Sequence, residues 1–238
     1  MLPRVDGDGI EQACREGLGE DPPRVDADES GARALLGWLV ARVARKRFEP
    51  EAFREAYCSR TPRSVLAQKC VPFTAPCADL SGIAALLLAR SGITSTLVLG
   101  GISRALRPVK FQCGLELELP RKGTRGDDST SSWVVGFGVS RTFFYEGRFE
   151  PVPRRPWVFR RRPEALDLDT PFLASFCEGG RDGLARLVPG YDLERDLRDH
   201  VRRSGRIAFF LARRRARAEE GASEPRPVVA APQSWEAA

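Results

Sequence analysis

The chain has 238 residues, 42% of them hydrophobic, with six cysteines, a single histidine and a net charge of +6. That is enough apolar material for one sizeable core. No window approaches the roughly 18 uninterrupted apolar residues of a membrane span, because the best one, Ile83 to Ala89, ends at Arg90. Thirty-two acidic residues are interleaved with 38 basic ones, which dilutes any field of one sign.

Met1 to Asp6 carries no basic stretch leading into an apolar one, so a cytoplasmic protein with no membrane partner is expected. The cysteines contain no C-x-x-C pair, a pattern of reduced thiols rather than of a disulfide framework. A zinc site would have to be assembled from Cys14, Cys58, Cys70, Cys77, Cys113, Cys177 and His200, so no metal and no cofactor is expected. Only Lys46, Lys69, Lys110 and Lys122 among the basic residues are lysines.

In chain order, residues 1–28 and 218–238 are polar and rich in Pro, Gly and small residues, and are expected to be flexible ends. A single α+β domain is expected over 29–217. Glu29 to Phe48 reads as a helix with Ser30 at its N-cap and Ala34, Leu35, Trp38, Leu39 and Val43 on one face. Shorter helical runs follow at Glu51 to Tyr57 and Ser64 to Lys69. The prolines of Val71 to Pro76 keep that segment extended, so the next helix begins at Cys77 and is closed by Gly92. It is apolar on most sides, the mark of a helix surrounded by other elements.

Ile93 to Leu99 reads as a strand and Gly100-Gly101 as a turn. Val109 to Leu119 is a strand whose Leu115, Leu117 and Leu119 alternate with Glu116 and Glu118, a half-exposed pattern. Trp133 to Val139 is its return partner across a long loop, and Arg141 to Tyr145 is a third strand. Pro151 to Pro163 reads as a surface segment. Helical character resumes after Leu166, most clearly at Asp192 to Val201 and Ile207 to Arg217. The expected fold is α+β: N-terminal helices and a central Cys-bearing helix on an antiparallel sheet, then C-terminal helices.

The run Pro76-Cys77-Ala78-Asp79-Leu80-Ser81-Gly82-Ile83 and onward to Ile93 resembles the nucleophile region of transglutaminase-like and papain-like cysteine enzymes, over roughly Val65 to Tyr145. There a cysteine opens a buried helix, where unpaired N–H groups and the helix dipole favour the thiolate. The resemblance implies a transglutaminase-like fold, Cys77 as nucleophile, and hydrolysis or transfer at peptide or amide bonds of a protein or peptide substrate. It also implies a histidine base at the start of the following strand, but this chain has Phe111-Gln112-Cys113-Gly114 there. Cys113, or less well Gln112, takes that place. Ser140 matches the serine that vasohibin-type members carry as third residue, with Asp127 or Asp128 as the alternative acid. Asp79 is expected to cap the helix start, and Gln112 and Asp79 to border the substrate. His200 sits in a charge-laced helix and is expected to be solvated. Without a histidine base the chain reads as a weakened enzyme, and Cys77 with Cys113, once adjacent, as a pair able to close a reversible disulfide.

The alternative is a non-enzymatic binding or adaptor module. Arg154 to Arg162 interleaves arginines with Trp157 and Phe159, and Arg213 to Arg217 is a second basic run. Such segments hold phosphates and stack bases, or meet acidic protein partners.

Overall fold

The computed structural model describes residues 7–104, 107–120, 130–138, 142–151 and 157–206. Ser140, Asp127, Asp128, Arg154, Arg155 and residues 207–238, with their expected helix and tail, lie outside the described residues.

Helix α1 (Gly7–Leu18) falls inside the segment expected to be flexible. Ile10, Ala13 and Cys14 recur at three-and-four spacing and are buried, and Arg90 of the central helix pairs with Glu11. A short apolar stripe in a polar stretch is enough to dock a helix when a larger core supplies the other half of the contact. Helix α2 (Glu29–Arg42) is capped by Asp28, not Ser30: the Asp28 carboxylate accepts from the Gly31 N–H at 2.8 Å. It stops at Arg42 because the β-branched Val43 turns extended and leads into β1 (Ala44–Lys46). Strand β1 pairs in parallel with β2 (Cys70–Pro72), and the short helices α3 (Pro50–Ala56) and α4 (Pro62–Gln68) lie between them. Both helices open on proline, whose missing N–H costs nothing in a first turn.

Helix α5 (Cys77–Arg90) is the centre of the molecule. Every residue from Ala78 to Leu88 is buried, and α1, α2, α4 and strands β3, β4 and β5 all pack on it. Leu80, Ile83, Leu87 and Leu88 are fully buried, each contributing about 1.5–3 kcal/mol of transfer free energy. Gly92, at φ +73°, ends the helical segment as expected.

The sheet beneath α5 has five antiparallel strands in the order β6-β5-β4-β3-β7: β3 (Thr94–Arg104), β4 (Arg107–Pro120), β5 (Thr130–Phe137), β6 (Thr142–Glu146) and β7 (Trp157–Arg161). The sheet departs from expectation at three places. Gly100 and Gly101 do not turn the chain; they lie within β3, opposite Gln112 and Phe111. A Cβ on Gly101 would meet Trp157 at 2.8 Å and Val188 at 2.9 Å, so glycine admits close packing there rather than a bend. Pro151 to Pro163 is not all surface coil, since Trp157 to Arg161 pairs with Leu97 to Gly101 as an edge strand. The polar face of β4 is not open to water at Glu116, which is buried. Its carboxylate accepts from the Phe149 N–H at 2.6 Å and from two nitrogens of Arg160 at 2.8 Å each. Beside it Val98, Val134 and Phe149 form a small second cluster.

After β7 the chain runs through three 3-10 turns and the single-turn helix α6 (Leu184–Leu187), then enters helix α7, residues 193–206. No helix among the described residues is long and apolar enough to cross a membrane.

Candidate functional site

The thiol of Cys77 stands at the first residue of α5, preceded by Pro76 at the N-cap, and no side chain caps this end. Cys77 is half-buried, while Cys113 and Cys58 are buried. Strand alternation puts Cys113 on the same face as Leu115, Leu117 and Leu119, toward α5. There the interaction with the Cys113 side chain is the main cause that draws the Cys77 thiol below the ordinary cysteine range. Burial and the Asp79 carboxylate oppose it, and the Cys113 and Ala78 backbone N–H groups add to it. Burial pushes Cys113 the other way, well up, and its contact with Cys77 adds to the rise. The two sulfurs are therefore unequal: one on a half-buried residue and biased to the thiolate, one enclosed and biased to hold its proton.

A third sulfur joins them. Cys58 lies in the α3–α4 connection at φ +54°, a left-handed conformation uncommon for a side chain of this type. It interacts electrostatically with both Cys77 and Cys113. Burial raises its thiol well above the ordinary range. Nothing in the stretch Tyr57-Cys58-Ser59-Arg60 announced this placement, since it depends on how two short helices fold over the start of α5.

Asp79 does not cap α5. Its side chain is buried in an ion pair with Arg60, which also donates to the Cys70 carbonyl at 2.9 Å. Burial outweighs the arginine and raises the Asp79 carboxyl to about 6. So enclosed a group is not placed to touch a substrate directly. Gln112 is separated from the thiols by strand alternation: it points to the opposite face of β4, where its Nε2 lies over Gly136.

His200 is not solvated. Its ring packs against Phe53 and Tyr57, with centroids 5.9 and 5.2 Å away. Its Nε2 lies 3.5 Å from the buried Asp196 carboxylate, which also accepts from the Tyr57 hydroxyl at 2.6 Å. Burial lowers His200 to about 4. Lys110 bridges Asp196 and Asp199 at 3.3 and 3.0 Å. These groups lock α7 onto the core; the ring neighbours of His200 are Phe53 and Tyr57 rather than Cys77.

In the basic segment, Trp157 and Phe159 pair with Gly101 and Leu99 on the core side of β7 and pack there. Arg160 is taken up by Glu116 and the Phe149 carbonyl. Of the described part, Arg161 and Arg162 remain exposed, without the interleaved aromatic faces that base stacking needs. Among the described residues no group of three or more His, Cys, Asp or Glu side chains is placed to hold a metal ion.

No family model, curated protein or solved structure matches this chain. What the site can do rests on its own chemistry: a half-buried thiol at a helix start, influenced most by a second thiol and not by an imidazole.

Proposed function

We propose that the chain is a transglutaminase-like thiol domain in which Cys77 is the nucleophile toward carbonyl carbon and Cys113 occupies the position of the missing base. The observation that carries this reading is the contact of Cys77, at the first residue of α5, with Cys113 on β4, which draws the Cys77 thiol below its ordinary range. Hydrogen bonding to a thiolate and the open N–H groups of a first helical turn are the two devices that make a cysteine reactive without help from histidine.

The chemistry is incomplete in a specific way. Expelling an amine from a tetrahedral intermediate requires a proton at the leaving nitrogen, and Cys113, held well above the ordinary thiol range, is a poor acid. A thiolate can still take an acyl group from an ester or thioester, whose leaving group departs unprotonated. Peptide and amide bonds, the substrates that the resemblance implies, are therefore turned over weakly.

The test is the alkylation rate of all six cysteines against pH in the folded protein, read by peptide mass spectrometry, together with acylation by a p-nitrophenyl ester. Cys77 is expected to alkylate fastest below the reference thiol value of about 8.5 and to carry the acyl group. A Cys77 as inert as Cys14, whose buried thiol is raised to about 12, would sink the nucleophile reading and leave a non-catalytic domain.

A further inference from the structure

Three thiols lie within electrostatic reach of one another near the start of α5, and they differ in access and in proton affinity. Cys77 is half-buried, whereas Cys58 and Cys113 are closed off from solvent. Cys77 opens α5, Cys113 lies on the face of β4 on which α5 packs, and the two thiols are close enough for each to shift the other. An arrangement in which one thiol can be reached by a small molecule and its direct partner cannot is the arrangement of an attacking and a resolving cysteine.

We propose that Cys77 and Cys113 form a peroxide-reactive dithiol, with Cys77 attacking a hydroperoxide and Cys113 resolving the product to a disulfide. In the first step the Cys77 sulfur attacks the terminal oxygen of ROOH. The O–O bond breaks, ROH leaves with the proton that Cys77 gave up, and Cys77 becomes a sulfenic acid. In the second step the Cys113 sulfur attacks the Cys77 sulfur; the S–O bond breaks and the hydroxide leaves as water with the Cys113 proton. The two thiols together lose two electrons and the peroxide gains them. A small dithiol reverses the change by exchange, becoming a disulfide itself. The lowered proton affinity of Cys77 supports the first step, because the thiolate is the reacting form. Closing the bond removes the nucleophile of the proposed acyl chemistry, so peroxide switches that activity off. The disulfide itself does not depend on that activity.

The experiment treats the full chain with hydrogen peroxide and maps its cysteines under non-reducing conditions, with dithiothreitol reversal as a second arm. Expected is a Cys77–Cys113 linkage that the dithiol reverses. In C113A a sulfenic acid on Cys77, trapped by a dimedone probe, should replace it, while C58A keeps the linkage. A Cys77–Cys58 linkage, or over-oxidation of Cys77 in the wild-type chain with no linkage, would overturn the assignment of Cys113. Fast alkylation of Cys77 without any disulfide would overturn this inference and spare the nucleophile reading. A disulfide with no ester acylation would do the reverse.

Discussion

Arg60 and Asp79 meet as an ion pair with both side chains buried, two residues along α5 from the Cys77 thiol. The pair joins the α3–α4 connection to the helix start, and so holds Cys58 and Cys77 on the same side of the core. A buried pair contributes little net stability relative to an apolar replacement, but removing one partner strands the other charge. R60M is expected to lower stability at pH 7 by about 3–5 kcal/mol, read from urea unfolding, and R60M/D79L to recover most of that. A double variant no more stable than R60M would show that the pair is not the cause.

The same carboxyl and His200 oppose each other in acid. His200 is held near 4 in the folded chain against about 6.5 unfolded. Between those values the unfolded state binds more protons, and stability falls as pH drops through 6.5 toward 4, by about 3 kcal/mol in full. Asp79 is raised to about 6 against about 3.9 unfolded, so its contribution has the opposite sign: stability rises as pH drops through 6 toward 3.9, by a similar amount. The wild-type profile between pH 6 and 4 should be shallow. H200Q should tilt it toward gain on acidification and D79N toward loss, measured as urea midpoints at fixed salt. Parallel slopes in all three proteins would refute the assignment.

Cys113 is the largest influence that lowers the Cys77 thiol. C113V keeps the strand position apolar and deletes that interaction. Each unit by which the Cys77 value then rises costs about a tenfold loss of thiolate, so the alkylation rate at pH 7 should fall by about that factor or more. An unchanged rate would mean that the helix start alone tunes the thiol.

Two glycines should respond in opposite directions. At Gly101 a methyl group would press on Trp157 at 2.8 Å and Val188 at 2.9 Å, so G101A should cost about 1–3 kcal/mol by separating β7 and the α6 region from β3. At Gly37, inside α2, a Cβ meets nothing within 4 Å. G37A should stabilise by about 0.5–1 kcal/mol because it restricts only the unfolded chain. Thermal melting of both variants checks the pair, and a destabilised G37A would contradict the space seen around α2.

The tyrosine that holds α7 can be tested apart from the thiols. Y57F removes the 2.6 Å bond to Asp196 and leaves a buried carboxylate with one donor fewer, which should cost about 1–3 kcal/mol. Hydrogen exchange in residues 193–206 should accelerate more than exchange in α5; equal change in both would mean global loosening instead.

Local chemistry was enough to determine the elements that depend on near neighbours. The prolines before Cys77 and the glycine at 92 bracket α5, and the leucines of β4 set which face looks inward, because backbone restriction and period-two alternation act within a few residues. The α+β order and the antiparallel β4–β5 pair follow from the same signals. What only the tertiary structure decided is who meets whom: that Cys58 joins Cys77 and Cys113, that Asp79 is bound by Arg60, that Gly101 yields to Trp157, and that His200 is buried on Tyr57. Those contacts join residues that neither spacing nor propensity relates, and burial then decides their charge states. Desolvation is a property of the packed interior, so a sequence that names the ionisable groups does not say which of them will be titrated out of their ordinary range.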